Sequence, residues 1–439
     1  MSFPRYPSYK DSDVGWLGEV PAHWDVQPLY SSVVERNEPN KGMVEDNLLS
    51  LSYGRIVQKD ITSNDGLLPE SFETYQVVRP GDIVFRLTDL QNDKRSLRSA
   101  IVEETGIITS AYLAVVPRGP DSKYMSYLFR AYDVTKVFYS MGGGLRQSMK
   151  FADLKRMPTL LPSPEEQVAI ATFLDRETAK IDALVAEQRR LVELLKEKRQ
   201  AVISNAVTQG LNPDAPMKPS GIEWLGDVPV HWRTTKLKFV TEFIVDCPHE
   251  TPTYSEDGEY LVIRTADLDE GRIDDSMMFR VSEPEYLNRI RRASLLDGDI
   301  VYGREGERWG HAALVKESGR FCLGQRMMQF RASEGVCPEY LMWALNAEAT
   351  YLQGQLDTVG ATSPHVNVWT IRNYDLAHPP IEEQRKIGSF LGRQTRQFDT
   401  LTAEAQRAID LLQEHRTALI SAAVTGQIDV RALTEREAA

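Results

Sequence analysis

Two kinds of hydrophobic pattern alternate along the chain. From Glu165 to Thr208, and again from Glu382 to Thr425, apolar positions recur with the helical period. Ile181, Leu184, Gln188, Leu191, Leu195 and Val202 fall at the a and d positions of a heptad, and Phe398, Leu401, Ala405, Ala408, Leu412 and Leu419 hold the same phase. Each segment predicts a coiled-coil helix of roughly 30 to 40 residues, about 45 to 60 Å long at ~1.5 Å per residue. Pro164 with Glu165 and Glu166 suits a helix start, where proline loses no hydrogen bond and carboxylates meet the positive end of the dipole. Gly210 and Gly426 suit the ends. The stretches between, roughly 25–160 and 233–378, carry short alternating runs bounded by turn residues, which predict strands at 82–86, 112–116, 260–264 and 312–315. Residues 212–219, with three prolines, read as a linker.

The same text is written twice. Trp16-Leu17-Gly18-Glu19-Val20-Pro21-Ala22-His23-Trp24 returns as Trp224-Leu225-Gly226-Asp227-Val228-Pro229-Val230-His231-Trp232, and Glu165-Glu166-Gln167 returns as Glu382-Glu383-Gln384. From those glutamates onward about half of the aligned positions match without a gap. The middles differ far more, although Gly81-Asp82-Ile83-Val84-Phe85 still pairs with Gly298-Asp299-Ile300-Val301-Tyr302. A scaffold that is kept around inserts that diverge suggests two versions of one module holding different things. The recurring Trp16, Trp24, Trp224 and Trp232 are expected to be structural. The fold class is therefore α+β: two domains with mixed sheets joined by two long antiparallel coiled-coil helices, as a pseudo-twofold internal repeat. The expected boundaries are 1–160, 161–211, 212–378 and 379–439.

A chain of 439 residues suits two or three domains, and no apolar run is long enough to span a bilayer. No secretory signal follows the first basic residue, so a cytoplasmic location is expected. Cys247, Cys322 and Cys337 are too few and scattered for a disulfide framework. Cys247 and His249 could supply two metal ligands, but no second pair matches them.

Catalytic signatures are missing. There is no phosphate loop of the GxxxxGK[ST] type, no GxSxG elbow and no HExxH helix, and the seven histidines do not cluster. Gly142-Gly143-Gly144 lacks the lysine of a phosphate cradle and reads as a turn. The nearest text to an adenine methyltransferase tetrapeptide, His378-Pro379-Pro380-Ile381, lacks its polar first and aromatic fourth residues. A non-enzymatic chain is expected, although the scattered acids of a metal-dependent nuclease would escape such a search.

The order of anchor, variable domain and long helix, run twice, resembles the specificity subunits of type I restriction-modification systems. The carrying motifs are SxxxWLGxVPxHW at Ser12 and Ser220, PxxEEQ at Pro162 and Pro379, and RxAxISxAVT at Arg199 and Arg416. The resemblance implies two target-recognition domains, each reading one half of a bipartite site in double-stranded DNA. It implies helices that set the unread spacer and dock two methyltransferase subunits, with motor-nuclease subunits joining for restriction. No cofactor is expected in this chain; S-adenosylmethionine, ATP and Mg2+ belong to the partner subunits, and no membrane is involved.

A net charge of −12 is unusual for a DNA-binding protein. It divides into about −1 for 1–160, −1 for 161–211, −9 for 212–380 and −1 for the remainder. Partner subunits supplying phosphate contacts would resolve the conflict. Candidate DNA-reading residues follow from chemistry, since arginine suits guanine and asparagine or glutamine suits adenine. In the first domain they are Thr88, Gln91, Asn92, Lys94, Arg95, Arg146, Gln147, Ser148 and Lys150. In the second they are His249, Thr251, Thr253, Tyr254, Arg264, Arg304, Arg308, Trp309, Ser363, His365 and Asn367, with Arg304 and Arg308 foremost. A subunit of a modification-only or type IIB-like enzyme would share this architecture, and a coiled-coil scaffold bearing two peptide-binding modules is the reading from a different class.

Overall fold

The structure, a computed structural model, describes residues 3–61, 71–88, 90, 97–141, 149–306, 308–358 and 364–435. Its backbone divides into two compact units, residues 1–188 with 407–439, and residues 189–406. Both boundaries pass through the long helices, Pro164–Gln209 and Ile381–Val424, so each unit owns one globular domain and half of each helix. This division cuts across the four consecutive segments read from the sequence. At 46 and 44 residues the helices exceed the expected 30 to 40.

The helix seam differs from the expected one by one position in each heptad. Ile181, Val185 and Val192 are buried, whereas Leu184 and Leu191 are 46% and 42% exposed. In the second helix Phe398, Ala405, Ile409 and Leu419 are buried and Leu401 is 40% exposed. The apolar contacts therefore run through positions a and e. Neighbouring helical positions lie about 100° apart, so leucine and valine at adjacent places compete for the seam, and the partner helix decides between them.

Asp182 recurs as Asp399 and Arg199 recurs as Arg416, and these four residues pair across copies. In the first unit Arg416 reaches Asp182 with Nε and Nη2, at 3.0 and 3.2 Å. In the second, Arg199 Nε lies 3.4 Å from Asp399 Oδ1. Each unit therefore holds the same ion pair, with the two copies exchanging roles.

Each globular domain holds a four-stranded antiparallel sheet and a mixed one, of four strands in the first unit and three in the second. In the first unit Val33–Glu35, Leu113–Pro117, Ile83–Phe85 and Ser99–Ile101 are neighbours in that order, and Leu48–Ser52 pairs in parallel with Gly106–Ile108. In the second, the order is Thr241–Asp246, Met327–Ala332, Ile300–Gly303 and Ala312–Leu314, and Tyr260–Ile263 pairs in parallel with Phe321–Leu323. An antiparallel strand also flanks each pair, Arg55–Lys59 beside Leu48–Ser52 in the first unit and Phe279–Val281 beside Tyr260–Ile263 in the second. The first unit adds Gln76–Val78 beside Gly106–Ile108.

The repeated motifs earn their recurrence by closing these units. Trp24 and Trp232 are fully buried. His23 Nε2 lies 2.9 Å from Glu166, and His231 Nε2 lies 2.7 Å from Glu383, whose other oxygen accepts from Trp232 Nε1 at 2.9 Å. Gln167 and Gln384 are buried clamps at the two helix starts. Gln167 Nε2 donates to Pro162 O while its Oε1 accepts from Asp121 N; Gln384 does the same with Pro379 O and Cys337 N, all at 2.8 to 2.9 Å. Trp16 and Trp224 depart from the structural expectation in degree: Trp16 is 46% exposed, edge-on to Tyr132, and Trp224 is half-buried. The expected linker is partly a strand, since Met217–Pro219 pairs with Asp227–Pro229 as Tyr9–Asp11 pairs with Glu19–Pro21. In the first unit the two ends of the chain meet, with Asp429 N donating to Pro4 O at 2.8 Å and Tyr9 OH to Gly426 O at 3.1 Å.

Candidate nucleic-acid interface

In each globular domain the same backbone bond joins a strand end to the residue beside a nominated one. Met149 N donates to Leu87 O at 3.0 Å in the first unit, and Val366 N donates to Arg304 O at 3.2 Å in the second. Leu87 and Arg304, and Met149 and Val366, stand at the same offset that separates Glu166 from Glu383. Leu87 or Arg304, just past the strand ending at 85 or 303, is thus brought beside the residue that precedes Lys150 or Asn367.

In the first unit Thr88 is half-buried, and its carbonyl accepts from Arg98 Nη1 at 3.0 Å. Arg98 is wholly buried; its Nε meets Tyr139 OH at 3.3 Å, and its backbone N–H donates to Asp133. This buried guanidinium braces the loop base from beneath. Burial raises the Asp133 carboxyl above the usual range. Lys150 is exposed at the start of the short helix Phe151–Leu154. Gln91, Asn92, Lys94, Arg95, Arg146, Gln147, Ser148 and, in the second unit, Ser363 lie outside the described residues.

In the second unit the remaining candidates gather at one rim of the sheets. Asp246 and Tyr302 are both in register with Met328, and Gly324 N donates to Ile263 O at 2.8 Å, so both sheets end together there. Arg304 is buried, contrary to its expected role as an open reading head. Its Nη2 donates to Glu305 at 2.8 Å and its Nε lies 3.6 Å from Asp246 Oδ1. The other Asp246 oxygen is 2.8 Å from His249 Nε2. Arg308 is exposed, yet its Nη1 reaches Ala266 O and Leu268 O at 3.2 and 2.7 Å. Trp309 is buried and stacks on Tyr351, with ring centroids 4.3 Å apart, which is a packing role.

Arg264 grips Asp267 with Nε and Nη2 and lies 4.0 Å over the Phe279 ring; hydrogen bonding to Asp267 raises its pKa. Tyr254 stands edge-on to the same ring at 4.6 Å. Thr251 Oγ1 donates to Gln325 Oε1 at 3.2 Å, and Thr253 is exposed. His365 pairs with Glu305 in a single β-bridge, and Asn367 caps the helix Val368–Arg372. Arg289, one of the basic residues clustered in the sequence, is buried and donates to the carbonyls of Pro248, Glu250 and Leu323. It holds the 248–250 loop in place.

Several exposed groups escaped the sequence reading: Tyr53 at 77%, Met277 at 80%, Phe279 at 47% and Trp369 at 72% exposure, together with Arg326. The signal for Tyr53 was available, because Tyr53-Gly54 is a two-residue turn between paired strands with positive φ at both residues, 46° and 75°. The others had none beyond their residue type. Among the described residues no helix is long and apolar enough to cross a membrane, and no three potential ligands gather to hold a metal. Cys247 is buried and its sulfur accepts from Met327 N.

A duplicated α+β scaffold presenting two unlike loop rims defines the class, and comparison with known proteins agrees. Residues 229–410 match the family described as type I restriction modification DNA specificity domain. The specificity subunit of the type I restriction enzyme MjaVIII of Methanocaldococcus jannaschii is 23% identical over 339 residues, covering 75% of this chain and 76% of that protein. The StySPI specificity subunit of Salmonella potsdam is 21% identical over 449 residues, covering 94% and 90%. A solved structure from work on assembly and conformational transition of the type I R-M system aligns over 92% of this chain and 98% of its own, with a TM-score of 0.61 at 19% identity, a likeness of fold. Over residues 229–410 the chain carries that specificity domain, and over most of its length it is similar to specificity subunits of type I restriction-modification enzymes.

Proposed function

We propose that this chain is the DNA-recognition subunit of a type I restriction-modification complex and that its two loop rims each read one half of a split target. The observation that carries this is a duplicated backbone bond, Met149 to Leu87 and Val366 to Arg304, which recurs beside segments whose residues differ between the copies. Fixed geometry with altered side chains is what two different half-sites demand. The long helices set the unread spacer and dock two methyltransferase subunits. Motor-nuclease subunits join for restriction, and S-adenosylmethionine, ATP and Mg2+ are bound by those partners in the cytoplasm. The acidic balance of the chain fits a division of labour in which partners neutralise much of the phosphate backbone.

The test is base-resolution mapping of N6-methyladenine in the source genome with this gene present and deleted. A bipartite methylated motif that vanishes on deletion is the expected result; an unchanged methylome refutes the reading.

A further inference from the structure

Arg304 and Arg326 meet at the rim of the second domain, Arg304 N donating to Arg326 O at 3.0 Å, but their guanidinium groups fare differently. The Arg304 side chain is 9% exposed and held between Glu305 and Asp246. That of Arg326 is 46% exposed. Its Nε lies 3.5 Å from Glu305 Oε2, and among the described residues no acceptor meets Nη1 or Nη2. Glu305 thus spends one oxygen on Arg304 and turns the other toward the inner nitrogen of Arg326. The two terminal nitrogens of Arg326, the pair able to grip guanine O6 and N7 together, are left for a ligand.

The backbone adds an independent observation. Arg326 has φ of 74°, the left-handed region in which a side chain is strained and glycine is at ease. The turn between Phe321–Leu323 and Met327–Ala332 would be satisfied by glycine, yet it carries the rim's half-open arginine. Strain kept at a rim is a mark of a side chain held for use. In the first unit the matching register place is Ala111, since Leu113 faces Phe85 as Met328 faces Tyr302. The feature is therefore peculiar to one reading head.

We infer that Arg326 reads a guanine in the half-site of the second domain, with Glu305 as its positioning residue. The inference rests on the DNA-recognition reading above.

The test uses the full chain assembled with its methyltransferase subunits and compares wild type, Arg326→Gly and Glu305→Gln. The readouts are competition binding against DNA duplexes varied one base pair at a time and thermal melting. Arg326→Gly is expected to lose about 5- to 150-fold in preference at a single guanine of the second half-site, to keep its preferences in the first, and to melt no lower than wild type. Glu305→Gln is expected to relax the same position by less. Equal loss on every duplex would make Arg326 a phosphate contact, and either unchanged preferences or a second half-site without guanine would equally overturn the inference. Wild-type complex showing no sequence preference at all would refute the DNA-recognition reading instead.

Discussion

Gly426 ends the second long helix with φ of 75°, and a β-carbon built there would lie 2.3 and 2.4 Å from Cδ and Cγ of Pro21 and 3.3 Å from Trp24. Its counterpart Gly210, φ 81°, would place that carbon 3.1 Å from the Trp232 ring, with no atom nearer. Gly18, φ 65° and also in the first unit, has open space around the same position. Alanine at any of the three suffers the left-handed penalty of roughly 1–2 kcal/mol. At Gly426 it must also push aside a proline ring backed by a buried tryptophan, an overpacking cost of about 1–3 kcal/mol. Gly426→Ala should therefore cost ~2–5 kcal/mol and Gly18→Ala ~1–2, with Gly210→Ala between them. For a unit of this size that excess over Gly18→Ala lowers Tm by a further ~2–12 °C. Circular-dichroism melts and urea titrations of the three variants measure it. If Gly426→Ala is no more harmful than Gly18→Ala, the close packing of the chain end against Pro21 is wrong.

Two further outcomes follow from buried polar groups. Gln384→Ala leaves Cys337 N–H and Pro379 C=O without their partner in the interior, and should destabilise the second unit by about 2–4 kcal/mol; a loss below ~1 kcal/mol in urea titration would mean that water takes the place of the amide. Burial, aided by Arg233, holds the His378 imidazole below its ordinary 6.5. The unfolded chain then takes up the proton first, so stability is lost as pH falls through 6.5 and is fully present above it. His378→Leu, which copies Leu161 of the first unit, should flatten that decline between pH 7.5 and 5.5, and an unaltered pH profile of Tm would show that His378 is not its source.

What the chain declared in advance was its periodicity. The duplication, the helix starts at Pro164 and Glu382 and the stops at Gly210 and Gly426 are local signals, and the strands at 83–85, 113–117, 260–263 and 312–314 lie within a residue of where alternation put them. The helix seam was half legible. Ile181 and Phe398 are core positions, but Val185, Val192 and Ile409 displace Leu184, Leu191 and Ala408 because only the opposing helix determines which of two adjacent apolar residues turns inward. The reading heads were least legible. Arg304 is neutralised by Asp246, which lies 58 positions earlier, and by Glu305 beside it, while Arg326 is marked by a backbone angle and an exposure that spacing does not encode. Side-chain fate at a rim is decided by long-range neighbours.

The meeting of the two chain ends in the first unit separates the order of the gene from the order of damage. Asp429 bonds to Pro4, Gly426 sits on Pro21 and Trp24, and the Arg431 guanidinium covers the Tyr6 ring at 4.9 Å. A nonsense or frameshift lesion just ahead of codon 426 would thus strike the domain that is translated first, laying Trp24 bare while the second domain keeps its own lid at Gly210. On a nascent chain, the first domain waits for residues 426–431 before it can be sealed, so the half read earliest is completed only after the second has been made.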